Sequence, residues 1–250
     1  MALFTDGLPA SIEFLRSFES GILDVAETEG IDLDAKLSLA RDETADVILR
    51  FLLNAGTRDV QQQRQALGVA DVVVTPALRR LHALRTLEYV YRDAFGHQLN
   101  DRYGQKLKEY QAAVPAAEKG LFEQGVGLVS RPVPKAPTPV VTATGDQSQT
   151  LYLAISYVSA DGAEGAASDA LMTSVGAGGT IPGPIAVGWT GNWNVYAGSA
   201  LDSLLLQTDE PVPSGTNWVY SGVLKAQGRG LSTGQVADSF VLNYQGVRRG

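Results

Sequence analysis

TPALRRLHALRTLEYVYRDAFGHQLNDRYGQKLKEYQAAV, Thr75 to Val114, carries the clearest periodicity in the chain. In its first part Ala77, Leu81, Leu84, Leu87, Tyr91 and Phe95 recur at steps of three and four, which places them on one face of a helix that must be buried. Thr75 can cap that helix through its hydroxyl, and Pro76 suits the first helical position because its missing N–H would have had no partner there. Gly96 stands where a left-handed helix end is wanted. Asn100 or Asp101 can then cap a second helix, striped by Leu99, Tyr103, Leu107, Tyr110 and Val114. The two stripes are expected to face each other or a shared neighbour.

The residues before this pair read as packing for it. Phe14, Leu15, Phe18 and Ile22 predict a first helix from Ser11, closed by Gly30. Leu37, Ala40, Val47, Ile48, Phe51 and Leu52 predict a second from about Asp34 to Asn54, with Asp42, Glu43 and Asp46 on its solvent side. The polar run Thr57 to Leu67 is expected to be a short exposed helix. After Pro115 a kink or break is expected, with a last helical piece over Ala116 to Gln124.

The character of the chain changes at RPVPKAPTP, Arg131 to Pro139, where four prolines rule out a helix and favour an extended connector. Beyond it the sequence alternates like a half-buried sheet. Val140, Thr142 and Thr144 suit an opening strand, and Leu151, Leu153, Ile155 and Tyr157 share one side of the next, before a turn at Asp161-Gly162. Ile185 to Trp189, Trp193 to Ala197, Leu204 to Gln207, Asn217 to Tyr220 and Phe240 to Tyr244 follow. Roughly seven short strands with turn signals between them predict an antiparallel two-sheet sandwich. The expected organisation is therefore multidomain, α then β: a helical bundle over 1–130, a proline-rich linker over 131–139 and a β-sandwich over 140–250.

The 250 residues suffice for two cores of ordinary size, and a 44% hydrophobic content is usual for globular chains. A formal net charge of −7 argues against a protein whose main task is gripping nucleic acid through phosphates. With no cysteine there is no disulfide framework and no thiol chemistry, which fits an intracellular site of synthesis. The opening MALFTDGLPA lacks a basic region followed by an apolar run, so no signal peptide is expected. The uncharged stretch Ala170 to Leu201 is loaded with Gly, Pro, Ser, Thr and Asn, and reads as loop and strand rather than a membrane span.

Tyr91-Arg92-Asp93, followed after the corner by Asp101-Arg102-Tyr103 and then Lys106, Lys108 and Tyr110, resembles the helical core of the head-to-tail adaptor (connector) proteins of tailed bacteriophages. The resemblance covers the stretch quoted above and, in general layout only, the helices before it. LYLAISYVSADGAEGAAS (Leu151 to Ser168), GWTGNWNVYAGS (Gly188 to Ser199) and TNWVY (Thr216 to Tyr220) are similar to fibronectin type III or immunoglobulin-like domains appended to phage structural proteins. The missing cysteine pair favours the fibronectin-like form. The resemblance implies a structural virion protein at the neck between head and tail, made in the host cytoplasm. It would form a ring, usually of twelve copies, docked below the portal protein around the channel that DNA crosses without sequence-specific binding. The major capsid protein and a downstream tail, stopper or nozzle protein are the further partners implied.

No catalytic constellation is read from the sequence, and no cofactor or metal is expected. His82 and His97 have no cysteine or HExxH-type spacing beside them, and neither GxSxG nor GxxxxGK[ST] occurs. The glycine-rich Gly176 to Pro184 has no lysine and reads as an inter-strand loop. Arg85, Glu88 and Arg92 are spaced for a surface charge ladder, and with Arg79, Arg80 and Arg102 they alternatively offer a subunit or portal interface. Tyr103 and Tyr110 are candidates for the same interface, although their spacing with Leu99 and Leu107 favours packing. Trp189, Trp193 and Trp218 present the choice between sandwich core and an interface or glycan-stacking role. The second function class is therefore a carbohydrate- or surface-binding decoration or tail-fibre module on a helical anchor.

Overall fold

The computed structural model describes residues 1–56, 68–97, 101–142, 145–184 and 189–242. The expected helix over Thr57 to Leu67 lies outside them, as do Asn100, Thr144, the first four residues of the Ile185 to Trp189 strand and the end of the Phe240 to Tyr244 strand. The chain divides into a helical unit, Gly7–Ser130 with Ala237–Gly250, and a β unit, Met1–Asp6 with Arg131–Val236. It therefore passes between units after Asp6, Ser130 and Val236, where the sequence suggested a single passage through a linker.

In the helical unit the predicted first helix is two: α1 (Ile12–Phe18) and α2 (Ile22–Glu29). Ser11 caps α1 by accepting from the Phe14 N–H. Glu19 then turns extended and its backbone N–H returns to the Leu15 carbonyl, which ends the helix before Gly21 starts the next. Gly30 closes α2 in the left-handed conformation, with φ of 65°, as its position suggested. Asp32 caps α3 (Leu33–Gly56) through the Ala35 N–H.

The helix α4 (Pro76–His97) begins as read from the sequence, with Thr75 Oγ1 accepting from the Leu78 N–H. It does not end at Gly96, which remains helical. A 3₁₀ turn, Asp101–Tyr103, leads into α5 (Gly104–Gln124), which runs unbroken through Pro115. Proline deprives the Gln111 carbonyl of its helical partner, but both residues are exposed, so water can take that place and the helix continues. The α4 helix packs against α1, α2, α3 and α5, and from Leu81 to Leu87 every residue is buried. A single apolar stripe describes a helix with one wet side, whereas this one is covered nearly all round.

The strand β1 (Val126–Leu128) had no clear signal among the glycines that precede and interrupt it. It is sandwiched between the bridge Val72↔Leu128 and the late strand Ser239–Val241, which pairs with it antiparallel. The backbone N–H and hydroxyl of Ser130 both donate to Asp238 at 2.8 Å, fastening the returning chain. The expected final strand therefore belongs to the helical unit and not to a sandwich.

The β unit is built on β2 (Asp146–Val158), β3 (Leu171–Ala177), β4 (Thr180–Ile181), β5 (Asn192–Gly198), β6 (Leu205–Leu206) and β7 (Trp218–Val219); the late strand of the helical unit is β8. Four of these form one antiparallel sheet in the order β3-β2-β5-β6, and β4 pairs separately with β7. Leu151, Leu153, Ile155 and Tyr157 fill one side of β2, as the alternation required, and join Trp193, Val195, Ile181 and Tyr220 in a shared core. Ala154 and Tyr196 lie in a smaller cluster with Leu204, and β5 is buried on both faces. Val140 and Thr142 form no strand; Thr142 instead donates its N–H to the Thr180 carbonyl. The proline-rich stretch has no regular secondary structure but is not a free connector. Val133 and Ala136 are core residues of this unit, and the Val133 and Lys135 N–H groups bond Gln235 and Asp6.

Gly145 shows how closely the β2–β3 end is packed. Its φ is +71°, and a Cβ there would lie 2.4 Å from the Ala177 carbonyl oxygen and 2.5 Å from the Gly179 nitrogen. Gly162, at φ +81°, has open space around it. Gly145→Ala is expected to cost about 2–4 kcal/mol and Gly162→Ala about 1 kcal/mol, read by urea unfolding of the purified variants.

Candidate interaction site on the helical unit

The helix α4 presents different chemistry at its two ends and its middle. At the start Arg79 and Arg80 are exposed, with Arg79 placed over the Phe14 ring at 5.5 Å. Among the described residues Arg80 has no ion-pair partner. It stands at the rim of a groove of about 390 Å³, floored by Ala77 on α4 and by Ala113, Ala117 and Gly120 on α5.

In the middle, Arg85 is not part of a surface ladder. It is 6% exposed, and its guanidinium donates to Glu118 of α5 at 3.0 Å and to the Thr44 hydroxyl of α3 at 3.4 Å. Three-residue spacing from Glu88 is satisfied by the sequence, but the helix is turned so that this position faces two neighbours. Next to it His82 is fully buried and its Nε2 bonds the Leu37 carbonyl at 3.0 Å. A carbonyl can only accept, so Nε2 carries the proton and Nδ1, which has no partner, is the bare nitrogen. Burial, opposed by the Leu37 bond and assisted by Arg41 and Arg85, brings the His82 pKa down to about 4.

At the far end the motif residues interlock. Tyr91 stacks on Tyr110 with centroids 5.4 Å apart and meets Tyr103 at 5.9 Å. Tyr103 and Tyr110 are buried, their hydroxyls donating to Glu29 at 3.0 Å and Glu19 at 3.1 Å, so both act in packing and not as exposed anchors. Lys106 pairs with Glu19 at 2.9 Å, and Lys36 of α3 pairs with Asp93. Burial works against the Glu19 charge, but Lys106 and the tyrosine hydroxyls outweigh it and hold the carboxyl below its ordinary range. Arg92 and Arg102 remain exposed beside this cluster, over the Tyr89 ring at 4.6 Å and the Tyr103 ring at 5.2 Å.

In the β unit Trp193 is 1% exposed and belongs to the core, which removes it from any stacking surface. Trp189 and Trp218 are half-buried, against Tyr157 and Tyr220 respectively. Sequence reasoning passed over Glu164. One oxygen of this carboxylate accepts from Tyr196 at 2.6 Å, Asn194 at 3.1 Å and Ser156, while the other forms an ion pair with Arg229. Its signal was a lone acid just beyond the Asp161-Gly162 turn, beside an almost uncharged sheet.

His82 lies among the described residues and the His97 side chain outside them. Among the described residues no group of three His, Cys, Asp or Glu could hold a metal ion, and no helix is long and apolar enough to cross a membrane.

Two outcomes follow from these contacts. Because the folded His82 pKa is depressed, the unfolded chain takes up a proton first as pH falls. Stability from this group is complete above about pH 6.5 and is lost towards pH 4, by about 3 kcal/mol at most. Urea midpoints followed by circular dichroism should fall over that window, and His82→Gln should flatten the slope. Removing one partner of the Arg85 pair, as in Glu118→Ala, should cost about 1–3 kcal/mol, whereas Arg85→Met with Glu118→Leu should recover most of it in a double-mutant cycle.

No family model, no curated protein and no solved structure matches this chain.

Proposed function

We propose that this chain is a structural virion protein, a head-to-tail adaptor that forms a ring of about twelve copies under the portal of a tailed bacteriophage and joins capsid to tail. The carrying observation is the interlocked set at the end of the α4–α5 pair. Of the tyrosines and charges that bear the resemblance, Tyr91, Asp93, Tyr103, Lys106 and Tyr110 contact one another or pack against α1, α2 and α3. A motif whose members act together is a stronger signature than the same residue types scattered over a surface. The exposed Arg92 and Arg102 beside it supply the portal-facing charge. The β unit is read as a fibronectin III-like sandwich, supported by a core shared between the β2–β5 face and the β4–β7 pair, and it meets capsid or tail proteins. DNA passes through the ring without sequence-specific contacts, in keeping with the acidic charge. The protein is made in the host cytoplasm and resides at the virion neck.

Negative-stain imaging of portal rings from the same phage should show an added ring when this protein is present, and Arg92→Glu with Arg102→Glu should weaken binding about tenfold. Portal rings left bare by saturating wild-type protein would reject the adaptor reading. A carbohydrate- or surface-binding module is the second reading, favoured by half-buried Trp189 and Trp218; glycan-array binding abolished by Trp218→Ala would put it first.

A further inference from the structure

The groove beside Arg80 and the outer face of α3 lie on opposite sides of the α4–α5 pair. On α4, His82 and Arg85 reach α3, and Ala77 and Arg80 are each five residues away, about 140° around the helix. On α5, Phe122 stacks on Phe51 of α3 with centroids 4.2 Å apart, while Ala113, Ala117 and Gly120 are turned about 140–200° from it. The groove therefore opens away from α3.

The outer face of α3 has the complementary character. Leu37, Ala40, Thr44, Ile48 and Leu52 point inward, leaving Asp42, Asp46, Leu49 and Leu53 exposed, with Leu53 at 60%. Among the described residues neither Asp42 nor Asp46 has an ion-pair partner, and Arg50 turns back to the Asp46 carbonyl. The face from Asp42 to Leu53 and the groove from Ala113 to Gln124 are each about 16 Å long. One is small-sided with an arginine at its rim; the other is leucine-bearing and acidic.

We propose that the groove receives the outer face of α3 from a second copy of this chain, with Leu49 and Leu53 entering over Ala113, Ala117 and Gly120 and with Arg80 meeting Asp42 and Asp46. The two surfaces differ and lie on opposite sides, so the contact is head to tail: each added copy keeps its second surface free, and a growing row has a free groove at one end and a free α3 face at the other. This deepens the ring in the proposed function by assigning its contact, and it needs no portal to be tested.

The chain has no cysteine, so single introduced thiols report contacts without background. Ala117→Cys and Leu49→Cys variants carrying different tags are mixed at the highest soluble concentration and treated with a short bismaleimide. The mixed product should form in preference to either homodimer. Adding Arg80→Glu to the Ala117→Cys chain should cut its yield about tenfold, and adding Asp46→Arg to the other chain should restore it. Circular dichroism establishes that each variant is folded before mixing. No crosslink, homodimers alone, or a mixed yield indifferent to Arg80→Glu would overturn the proposal. A portal that still binds the protein after such a failure would keep the adaptor reading and reject only this contact.

Discussion

The buried guanidinium of Arg85 is the constraint around which the helical unit closes. A charge removed from water must be paired, and here the partners come from two different helices, Thr44 on α3 and Glu118 on α5. That requirement fixes how α4 is rotated about its own axis. Once Arg85 faces both neighbours, His82 falls on the Leu37 carbonyl and Tyr91 falls between Tyr103 and Tyr110. The other arginines of α4, Arg79, Arg80 and Arg92, reach solvent.

The β unit solves a comparable problem with the opposite charge. Glu164 is a carboxylate beside a sheet whose side chains, Asp146 aside, are apolar or neutral polar, and it is held by Ser156, Asn194, Tyr196 and Arg229. Ser156 and Asn194 face each other across β2 and β5, so the acid bridges two strands while its ion pair binds the irregular chain near Arg229. A part-buried network of this type favours one arrangement of the loops over others. Both clusters tie their charges into the packing of their own unit, and the exposed arginines at the ends of α4 and α5 carry the functional reading.

Much of the layout was legible from residue order. Helix positions in α3 and α4, the cap at Thr75, the stop at Gly30, the change of character near Ser130 and the inward side of β2 all follow from local propensity and hydrophobic period. The misreadings share one cause. Gly96 and Pro115 are helix breakers by intrinsic preference, yet both stay helical, and Pro115 does so with its freed carbonyl partner on a wet face. Glu19 breaks a helix that its neighbours' stripe would have continued, at the point where its side chain is drawn to Lys106 and Tyr110.

Residue order alone places a helical half before a β half and marks Thr75 to Val114 as a helix pair striped for burial. Packing in three dimensions settles which arginines are core and which are surface, commits Tyr103, Tyr110 and Trp193 to packing, and brings Ser239–Val241 back to pair beside Val126–Leu128 in the helical unit. The reason is one of range. Period and propensity act over a few residues, whereas the partner of a buried charge or of a strand edge is chosen from the whole chain. Arg85 finds Glu118 33 residues away and Ser130 finds Asp238 at a separation of 108.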